Sequence, residues 1–290
     1  MDIVYHLGAH CTDEDRILKC LLNNRAVLAR QGIVVTGPGR YRNLLREAML
    51  NIRSGRPGSG MQEEILEAVL EKDSAGRVVF FNDSFLAMSS KVLAGDRLYP
   101  TAGEKASWMR AIFPDKPVTF AIALRNPATF LPALFAITGG TDFAAFLGGA
   151  DPARLCWSET IARLSSAVPD CPVTVWCNED TPLLWPQVLR AVAGHNAETR
   201  LEGEDDFLSA LMRPEGMARM QAYFADHPPA SEDRRRRAVS AFLEKFGRPE
   251  ELEIEIDLPG WSAELIEAMT AAYEADLRNI EALPGVTLLR

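Results

Sequence analysis

The chain has 290 residues, of which 47% are hydrophobic and 24% charged, and its formal net charge at pH 7 is −9. These values are ordinary for a globular protein with a sizeable core, and the acidic balance argues against a general binder of nucleic acid or of anionic membranes. The five cysteines, at positions 11, 20, 156, 171 and 177, form no CxxC pair, so they predict neither a zinc site nor a disulfide framework.

The N-terminal residues MDIVYHLGAH lack the basic region and the apolar length of a signal peptide. Elsewhere, no run of residues approaches the ~20 apolar residues of a membrane-spanning helix. From the sequence we therefore expect a cytoplasmic protein without a membrane partner.

Short runs rich in Val, Ile and Phe predict the strands of a sheet. A weaker candidate is Glu253–Leu258, and the four stronger ones are Asp2–Leu7, Arg77–Phe81, Pro117–Leu124 and Pro172–Cys177. The stronger runs are almost continuously apolar, which is typical of parallel strands that are covered on both faces.

Amphipathic helical patterns alternate with these strands. Asp151, followed by proline, is the expected N-cap of a helix that runs to about residue 167. Pro284–Gly285 is expected to end a helix that begins at Ser262. The alternation predicts a three-layer α/β/α fold with a central, mainly parallel sheet and right-handed crossovers. The expected helices are Ile17–Arg30, Met61–Lys72, residues 151 to about 167, and Ser262 to about Leu283.

Residues 203–250 differ from the rest in being acidic, proline-containing and arginine-rich. We expect them to form a helical cap or insertion within a single domain that spans residues 1–290. The run Arg234–Arg237 has Glu232 and Asp233 beside it, so it predicts a solvated or salt-bridged helix face and no nucleic-acid partner.

Residues 6–16, HLGAHCTDEDR, link the first predicted strand to the first predicted helix. A strand, a glycine-containing turn and a helix N-terminus form the layout in which many α/β proteins bind a phosphate. Here, however, the turn carries the consecutive carboxylates Asp13, Glu14 and Asp15. Thr12 and Asp15 have the Thr-x-x-Asp spacing of a capping box. The alternative is therefore that the acidic residues occupy and stabilise the first helical turn.

Together, several segments resemble the bacterial sulfotransferases, a P-loop-like family that uses 3′-phosphoadenosine 5′-phosphosulfate. The likeness covers nearly the whole chain and implies transfer of a sulfuryl group to a hydroxyl or amine of a small-molecule or glycan-like acceptor. The segments are HLGAHCTDEDRILKCLLNNRAVLARQGI from residue 6, VTFAIALRNPATFLPALF from residue 118, PVTVWCNEDTPLLWPQVLRAVAG from residue 172, and LPGWSAELIEAMTAAYEADLRNIEALPGV from residue 258.

The resemblance implies where the nucleotide would bind. In the family, backbone N–H groups at the helix N-terminus face the 5′-phosphosulfate, and a glycine lets the backbone approach closely. Arg125 corresponds to the family's contact to the 3′-phosphate. The residues that match cofactor-binding positions are Gly8, His10, Thr12 and Arg125.

Other positions depart from the family's pattern. Cys11 replaces the lysine, Asp13 the glycine, and Glu14 and Asp15 the hydroxyl residues, while Ala133 replaces a serine that would assist Arg125. A carboxylate ~5 Å from a phosphate oxygen costs about 3 kcal/mol at an effective dielectric of ~20. A helix dipole offers an anion only a few tenths to ~1 kcal/mol. Binding the nucleotide in the family's pose is therefore disfavoured.

Acidic residues also follow two later strands. By resemblance, Asp83 is the candidate catalytic base that deprotonates the acceptor, and the alternative is that it caps a helix at Phe85–Leu93. Glu179–Asp180 invite the same two interpretations, of which capping is favoured. His195 and His227 lie in polar contexts and are expected at the surface.

Residue types that ligate metals are concentrated in the first loop, at His6, His10, Cys11, Asp13 and Glu14. The family's pattern already contains both histidines, so no metal is needed to explain them. We therefore predict no metal site.

Two hypotheses about function follow. In the first, the protein is a sulfotransferase-like enzyme with an altered cofactor site. In the second, it is a catalytically inactive relative that acts as a binding or scaffold protein. An ion pair between Arg125 and Asp13, Glu14 or Asp15, in place of the cofactor, is the structural prediction that accompanies the second hypothesis.

Overall fold

The computed structural model describes residues 1–13, 15–55, 60–70, 75–252, 256, 258 and 260–290. Its centre is a six-stranded sheet in the order β2-β3-β1-β6-β7-β8, and every pairing within it is parallel. β4 and β5 form a separate antiparallel hairpin. The strands are β1 Asp2–His6, β2 Ile33–Val35, β3 Arg77–Phe81, β4 Leu93–Ala94, β5 Arg97–Leu98, β6 Val118–Leu124, β7 Val173–Cys177 and β8 Val286–Leu289.

Helices cover both faces of this sheet. In chain order they are α1 Arg16–Asn23, α2 Arg25–Arg30, α3 Arg42–Arg53, α4 Met61–Val69, α5 Ala102–Ile112, α6 Pro127–Thr138, α7 Phe143–Leu147, α8 Trp157–Ala167, α9 Thr181–Ala193, α10 Asp206–Leu211, α11 Pro214–Asp226, α12 Glu232–Phe246, α13 Pro249–Leu252 and α14 Ala263–Glu281.

Alternate residues of each strand supply two hydrophobic cores. On one face, Tyr5 of β1 packs with residues of α3, α4, α5, α6, α8 and α14. On the other, Val4 packs with residues of α1, α2 and α9. Because successive side chains of a strand point to opposite faces, a sheet covered on both sides requires nearly continuous apolar strands. The predicted three-layer α/β/α fold is confirmed.

The four stronger strand predictions are confirmed to within one residue at each end. β2 and β8 were not predicted, since they are only three and four residues long and lie at the two edges of the sheet. The weaker candidate at 253–258 falls mostly outside the described residues.

Two helix predictions are corrected. The helix expected at Ile17–Arg30 breaks at Asn24, whose Nδ2 donates to the carbonyls of Cys20 and Glu202, each at 2.8 Å. Asp151 does accept the Ala153 N–H, but it caps only a single 3₁₀ turn at Pro152–Arg154.

The longer helix that was expected to begin at Asp151 begins instead at Trp157, as α8. Leu155 and Cys156 are extended, so the chain leaves the 3₁₀ turn before it enters the helix. A buried carboxylate on α14 then supplies the cap, because Asp276 Oδ2 accepts the Ser158 N–H at 2.9 Å.

Residues 206–252 form α10 to α13, which bury a small core of their own around Leu208, Met220 and Val239. Arg236 pairs with Asp233, as expected of a salt-bridged helix face. Arg235 instead turns inward and donates to the carbonyl of Leu183 on α9 at 3.2 Å. This contact joins the helical insertion to the sheet-covering layer.

His195 corrects another prediction, because it is buried and not on the surface. It follows Gly194, which ends α9 in the left-handed conformation at a φ of +74°. A Cβ at Gly194 would lie 1.7 Å from Nη1 of Arg77, so the backbone passes close to the Arg77 side chain at the point where His195 becomes buried. Burial, and secondarily the charge of Arg190, lowers the pKa of His195.

Among the described residues, no single helix is long and apolar enough to cross a membrane. Only residues 127–138 and 143–154 pass such a test together, as a pair of segments bent by 108°.

Candidate functional site

A cleft of about 550 Å³ opens at the carboxyl ends of β1, β3 and β6. From β1 the chain continues to β2, toward one edge of the sheet, and from β6 it continues to β7, toward the opposite edge. The connections therefore diverge between β1 and β6. Ligands of open α/β sheets bind at such a switch point. The cleft is lined by His6, Gly8, Ala9, Cys11, Thr12, Asp13, Asp15, Phe81, Asn82, Asp83, Arg125, Ala133, Ala136 and Ile137.

Four of the five candidate site residues from the sequence therefore meet in one place: Gly8, Thr12, Asp83 and Arg125. Gly8 brings two of the loops together. Its φ is +52°, and a Cβ at this position would lie 3.2 Å from the Cα of Asp83. A side chain here would be strained by the backbone conformation and crowded by the neighbouring loop.

The capping box predicted for the first helix is wrong. Thr12 Oγ1 donates to the carbonyl of Ala9 at 2.7 Å, and Asp15 is left-handed with a φ of 61°. α1 therefore begins only at Arg16, after the acidic residues of the described loop. The cap comes from Asp13, whose Oδ2 accepts the Ile17 N–H at 3.1 Å. A carboxylate of the protein thus occupies the anion position at the N-terminus of α1.

The predicted ion pair of Arg125 is also wrong for the acidic residues that the structure describes, since it pairs with neither Asp13 nor Asp15; Glu14 lies outside the described residues. Nη1 of Arg125 donates instead to the carbonyl of Cys11 at 2.5 Å, and Nε donates to Thr129 Oγ1 at 3.1 Å.

The left-handed conformation of Cys11, with a φ of 57°, sets the direction of the carbonyl that Arg125 binds. Among the described residues, the partner of the arginine is therefore a backbone carbonyl and not the predicted carboxylate. Cys11 itself lies on the cleft wall, at the position where the resemblance expects a lysine.

His10, the fifth candidate, is a buried residue of the first loop and is not part of the cleft lining. The hydroxyl of Tyr99 lies 2.9 Å from both the backbone nitrogen and Nδ1 of His10. Because the hydroxyl accepts the backbone N–H, its own proton is available for Nδ1. The neutral imidazole is then the tautomer that carries its proton on Nε2.

Burial lowers the pKa of His10, which the charge of Asp83 partly offsets, and burial raises the pKa of Tyr99 well above its usual range. Tyr99 is held between His10 and the indole of Trp157, whose Nε1 donates to the carbonyl of Arg125 at 2.8 Å. Sequence reasoning did not find Tyr99, because nothing in the residues around it marks a tyrosine with a φ of 45°.

His6 ends β1 at the base of the cleft, and its side chain is only 3% exposed. Its ring lies against Phe81 and Trp176, with centroid separations of 4.9 and 5.7 Å. Within the described part of the chain, Nε2 has no hydrogen-bond partner. Burial lowers the pKa of His6, and the charges of Asp13 and Asp15 act in the opposite direction.

Asp83 lies in the cleft, but the helix that it was expected to cap does not form. Residues 82–88 contain no helix, and they are followed by a 3₁₀ turn at Ser89–Lys91 and the β4–β5 hairpin. Asp83 is exposed, and its Oδ1 accepts the hydroxyl of Ser84 at 3.0 Å. The capping alternative is therefore wrong, and the role of Asp83 as a base stays a prediction.

Glu179 does not cap α9, contrary to expectation. Its Oε1 accepts the backbone N–H of Asn126 at 2.7 Å, and its Oε2 lies 3.4 Å from the hydroxyl of Tyr273. Asp180, the N-cap residue of α9, makes no side-chain cap hydrogen bond. Desolvation raises the pKa of Glu179, and the charge of Arg125 opposes this. Glu179 thus links the start of α6 to α14.

The described residues of the cleft were compared with what a metal ion needs. No group of three His, Cys, Asp or Glu residues among those described is placed to hold one. The described lining includes one arginine, Arg125, and three aspartates, Asp13, Asp15 and Asp83. The remaining wall is apolar, and at its rim Ile137 is 54% exposed.

Fold and cleft together define a three-layer α/β/α protein with a cleft at the switch point of a parallel sheet. No family model matches the sequence, and no curated protein matches it.

Proposed function

We propose that this protein is a catalytically inactive relative of the sulfotransferases that acts as a binding protein through its central cleft. The observation that carries the proposal is the hydrogen bond from the Ile17 N–H to Asp13 Oδ2 at 3.1 Å. By resemblance, this helix N-terminus is the element that would face the 5′-phosphosulfate of the cofactor.

The repulsion expected between a bound phosphosulfate and this loop is larger than the attraction that the helix dipole offers. A bound phosphosulfate would lie beside the Asp13 carboxylate, and such a contact costs about 3 kcal/mol at ~5 Å and an effective dielectric of ~20. The dipole of α1 returns at most about 1 kcal/mol to an anion. With Cys11 at the lysine position, the compensating cation of the family is missing from this loop.

Arg125, the second anion-binding element, is also engaged by the chain itself. Its Nη1 holds the carbonyl of Cys11 and its Nε holds Thr129. Ala133 lines the cleft where the family has a serine, so no hydroxyl at that position assists Arg125. The two phosphate-binding elements that the resemblance implies thus serve internal contacts.

The transferase hypothesis needs cationic groups that stabilise the charge developing on the bridging oxygen. Of the described residues that line the cleft, only Arg125 is a cation that is charged at all working pH values. This balance favours the binding protein over the enzyme.

The test is a calorimetric titration of the whole protein with 3′-phosphoadenosine 5′-phosphate. The proposal predicts no heat of binding at millimolar nucleotide. Micromolar binding would support the transferase hypothesis instead.

A further inference from the structure

Two exposed aspartates from different loops line the cleft. Asp15 precedes α1, and Asp83 follows β3. Neither forms an ion pair with any residue in the described ranges. Asp13, the third carboxylate, is already engaged with the Ile17 N–H. The cleft therefore offers two carboxylates that form no ion pair within the described part of the chain.

The guanidinium of Arg125 cannot neutralise them both. It is committed to Cys11 and Thr129, and among the described residues of the lining its single positive charge stands against the carboxylates of Asp13, Asp15 and Asp83. Charge complementarity therefore favours a ligand with two positive charges over an anion or a neutral molecule.

His6 independently indicates a ligand with hydrogen-bonding groups. The residue is only 3% exposed and lines the cleft, and its Nε2 atom has no hydrogen-bond partner within the described part of the chain. A buried polar atom without a partner is costly and calls for an explanation. As its pKa is lowered, the ring is neutral near neutral pH and has one nitrogen able to accept an N–H.

The rest of the cleft would accommodate an aliphatic body. Phe81 lies beside His6, while Ala133, Ala136 and Ile137 form one wall from α6. Small alanine side chains leave room along this wall, and Ile137 at its rim offers an apolar surface of the kind that methylene groups cover. A metal ion would leave this apolar wall uncovered, and no group of three ligand-type side chains among the described residues is placed to hold one.

We propose that the cleft binds an aliphatic diamine in its dicationic form, with one ammonium group at Asp15, the other at Asp83, and the hydrocarbon chain along α6. This inference rests on the proposed function, because a bound nucleotide would occupy the same cleft. Each ammonium group donates charge-assisted hydrogen bonds to a carboxylate, and His6 is the neutral acceptor at the base.

The experiment is calorimetric titration of the full chain with 1,4-diaminobutane and 1,6-diaminohexane, with 1-aminobutane and 1,4-butanediol as single-charge and uncharged controls. We expect at least one diamine to bind about tenfold or more tightly than 1-aminobutane, from one additional charge-assisted hydrogen bond. The diol should give no heat. Affinity should fall as salt is added, since both carboxylates are exposed.

The variants Asp15→Asn and Asp83→Asn should each weaken diamine binding by about tenfold. Asp226→Asn is the matched control, because it removes the same charge from an exposed position at the end of α11, outside the cleft lining. Equal weakening in all three variants would mean non-specific attraction to an acidic protein and would overturn the proposal. Thermal unfolding verifies that each variant is folded.

A side-chain NMR readout tests the placement over His6. Diamine should shift the imidazole signals of His6 and leave those of exposed His227 unchanged. Equal binding of monoamine and diamine, or no binding of either, would overturn this inference and leave the proposed function standing. Binding of 3′-phosphoadenosine 5′-phosphate in the parallel titration would overturn the proposed function itself.

Discussion

Nη1 of Arg125 lies 2.5 Å from the carbonyl oxygen of Cys11, and this hydrogen bond joins the loops that follow two neighbouring strands, β6 and β1. The arginine comes from one motif that resembles a phosphate site, and the carbonyl comes from the other. The contact uses both motifs to stabilise the cleft wall of the protein itself.

Replacing Arg125 tests whether this contact is structural. Arg125→Met should lower the free energy of unfolding by about 1–3 kcal/mol, because it removes charged hydrogen bonds to Cys11 and Thr129. Urea denaturation measures the change. Arg97→Met, at an exposed position of β5, is the matched control and should cost less than about 0.5 kcal/mol. A similar effect of both substitutions would contradict the structural role.

Tyr99→Phe tests the support of His10. The substitution removes the hydroxyl that accepts the His10 backbone N–H and donates to Nδ1. Stability should fall by about 1–3 kcal/mol, because the buried N–H loses its partner. In addition, ¹⁵N NMR should show His10 of the unaltered protein protonated on Nε2 and a mixture of tautomers in the variant. Protonation on Nδ1 in the unaltered protein would be inconsistent with this arrangement.

Gly8→Ala tests the close approach of the first loop to Asp83. Left-handed backbone costs a residue with a Cβ about 1–2 kcal/mol, and the 3.2 Å approach to the Cα of Asp83 adds crowding. Gly139→Ala is the matched control, since Gly139 has a φ of +70° with nothing within 4 Å of the added Cβ. The Gly8 variant should be the less stable of the two in urea denaturation. Equal losses would show that crowding against Asp83 has no energetic effect.

Stability should fall as the pH drops below about 6.5, because three buried histidines have lowered pKa values. Burial is the largest cause at His6, His10 and His195. The unfolded chain then takes up protons at a higher pH than the folded protein does, so acid favours unfolding in the window between the two pKa values.

Urea denaturation at pH 7.5 and 5.5 measures this slope. His195→Gln should reduce it, and His227→Gln, at an exposed histidine, should leave it unchanged. A free energy of unfolding that stays constant or increases as the pH falls from 7.5 to 5.5 would contradict the burial of neutral histidines. Burial raises the pKa values of Glu179 and Asp180, so these two carboxyl groups make the folded protein more stable as the pH falls. Their effect is confined to the range between their ordinary pKa values, near 4, and their raised values in the folded protein.

The sequence predicted the centre of the fold well and its margins poorly. Buried parallel strands such as Arg77–Phe81 have a continuous apolar pattern that reports their burial directly. Edge strands such as Val286–Leu289 are only partly buried, and four residues carry too little pattern to identify them. Asn24 interrupts a helical pattern through hydrogen bonds to Glu202, a partner that is distant in sequence.

At the candidate site, residue identities were informative but local conformation was not. The motif positions placed Gly8, Thr12, Asp83 and Arg125 together, and the cleft contains all four. The geometry of the first loop, however, depends on positive φ at Cys11 and Asp15, which neither residue type requires. For this reason the carboxylates precede α1 instead of occupying its first turn.

By resemblance, the first loop is an anion site, and we propose that the protein's own groups occupy it. The most direct test is calorimetric titration with 3′-phosphoadenosine 5′-phosphate of the unaltered protein and of a variant that combines Cys11→Lys with Asp13→Gly. We expect no heat from the unaltered protein at millimolar nucleotide and measurable binding by the variant, which has a cation at position 11 and lacks the capping carboxylate. Micromolar binding by the unaltered protein would contradict it.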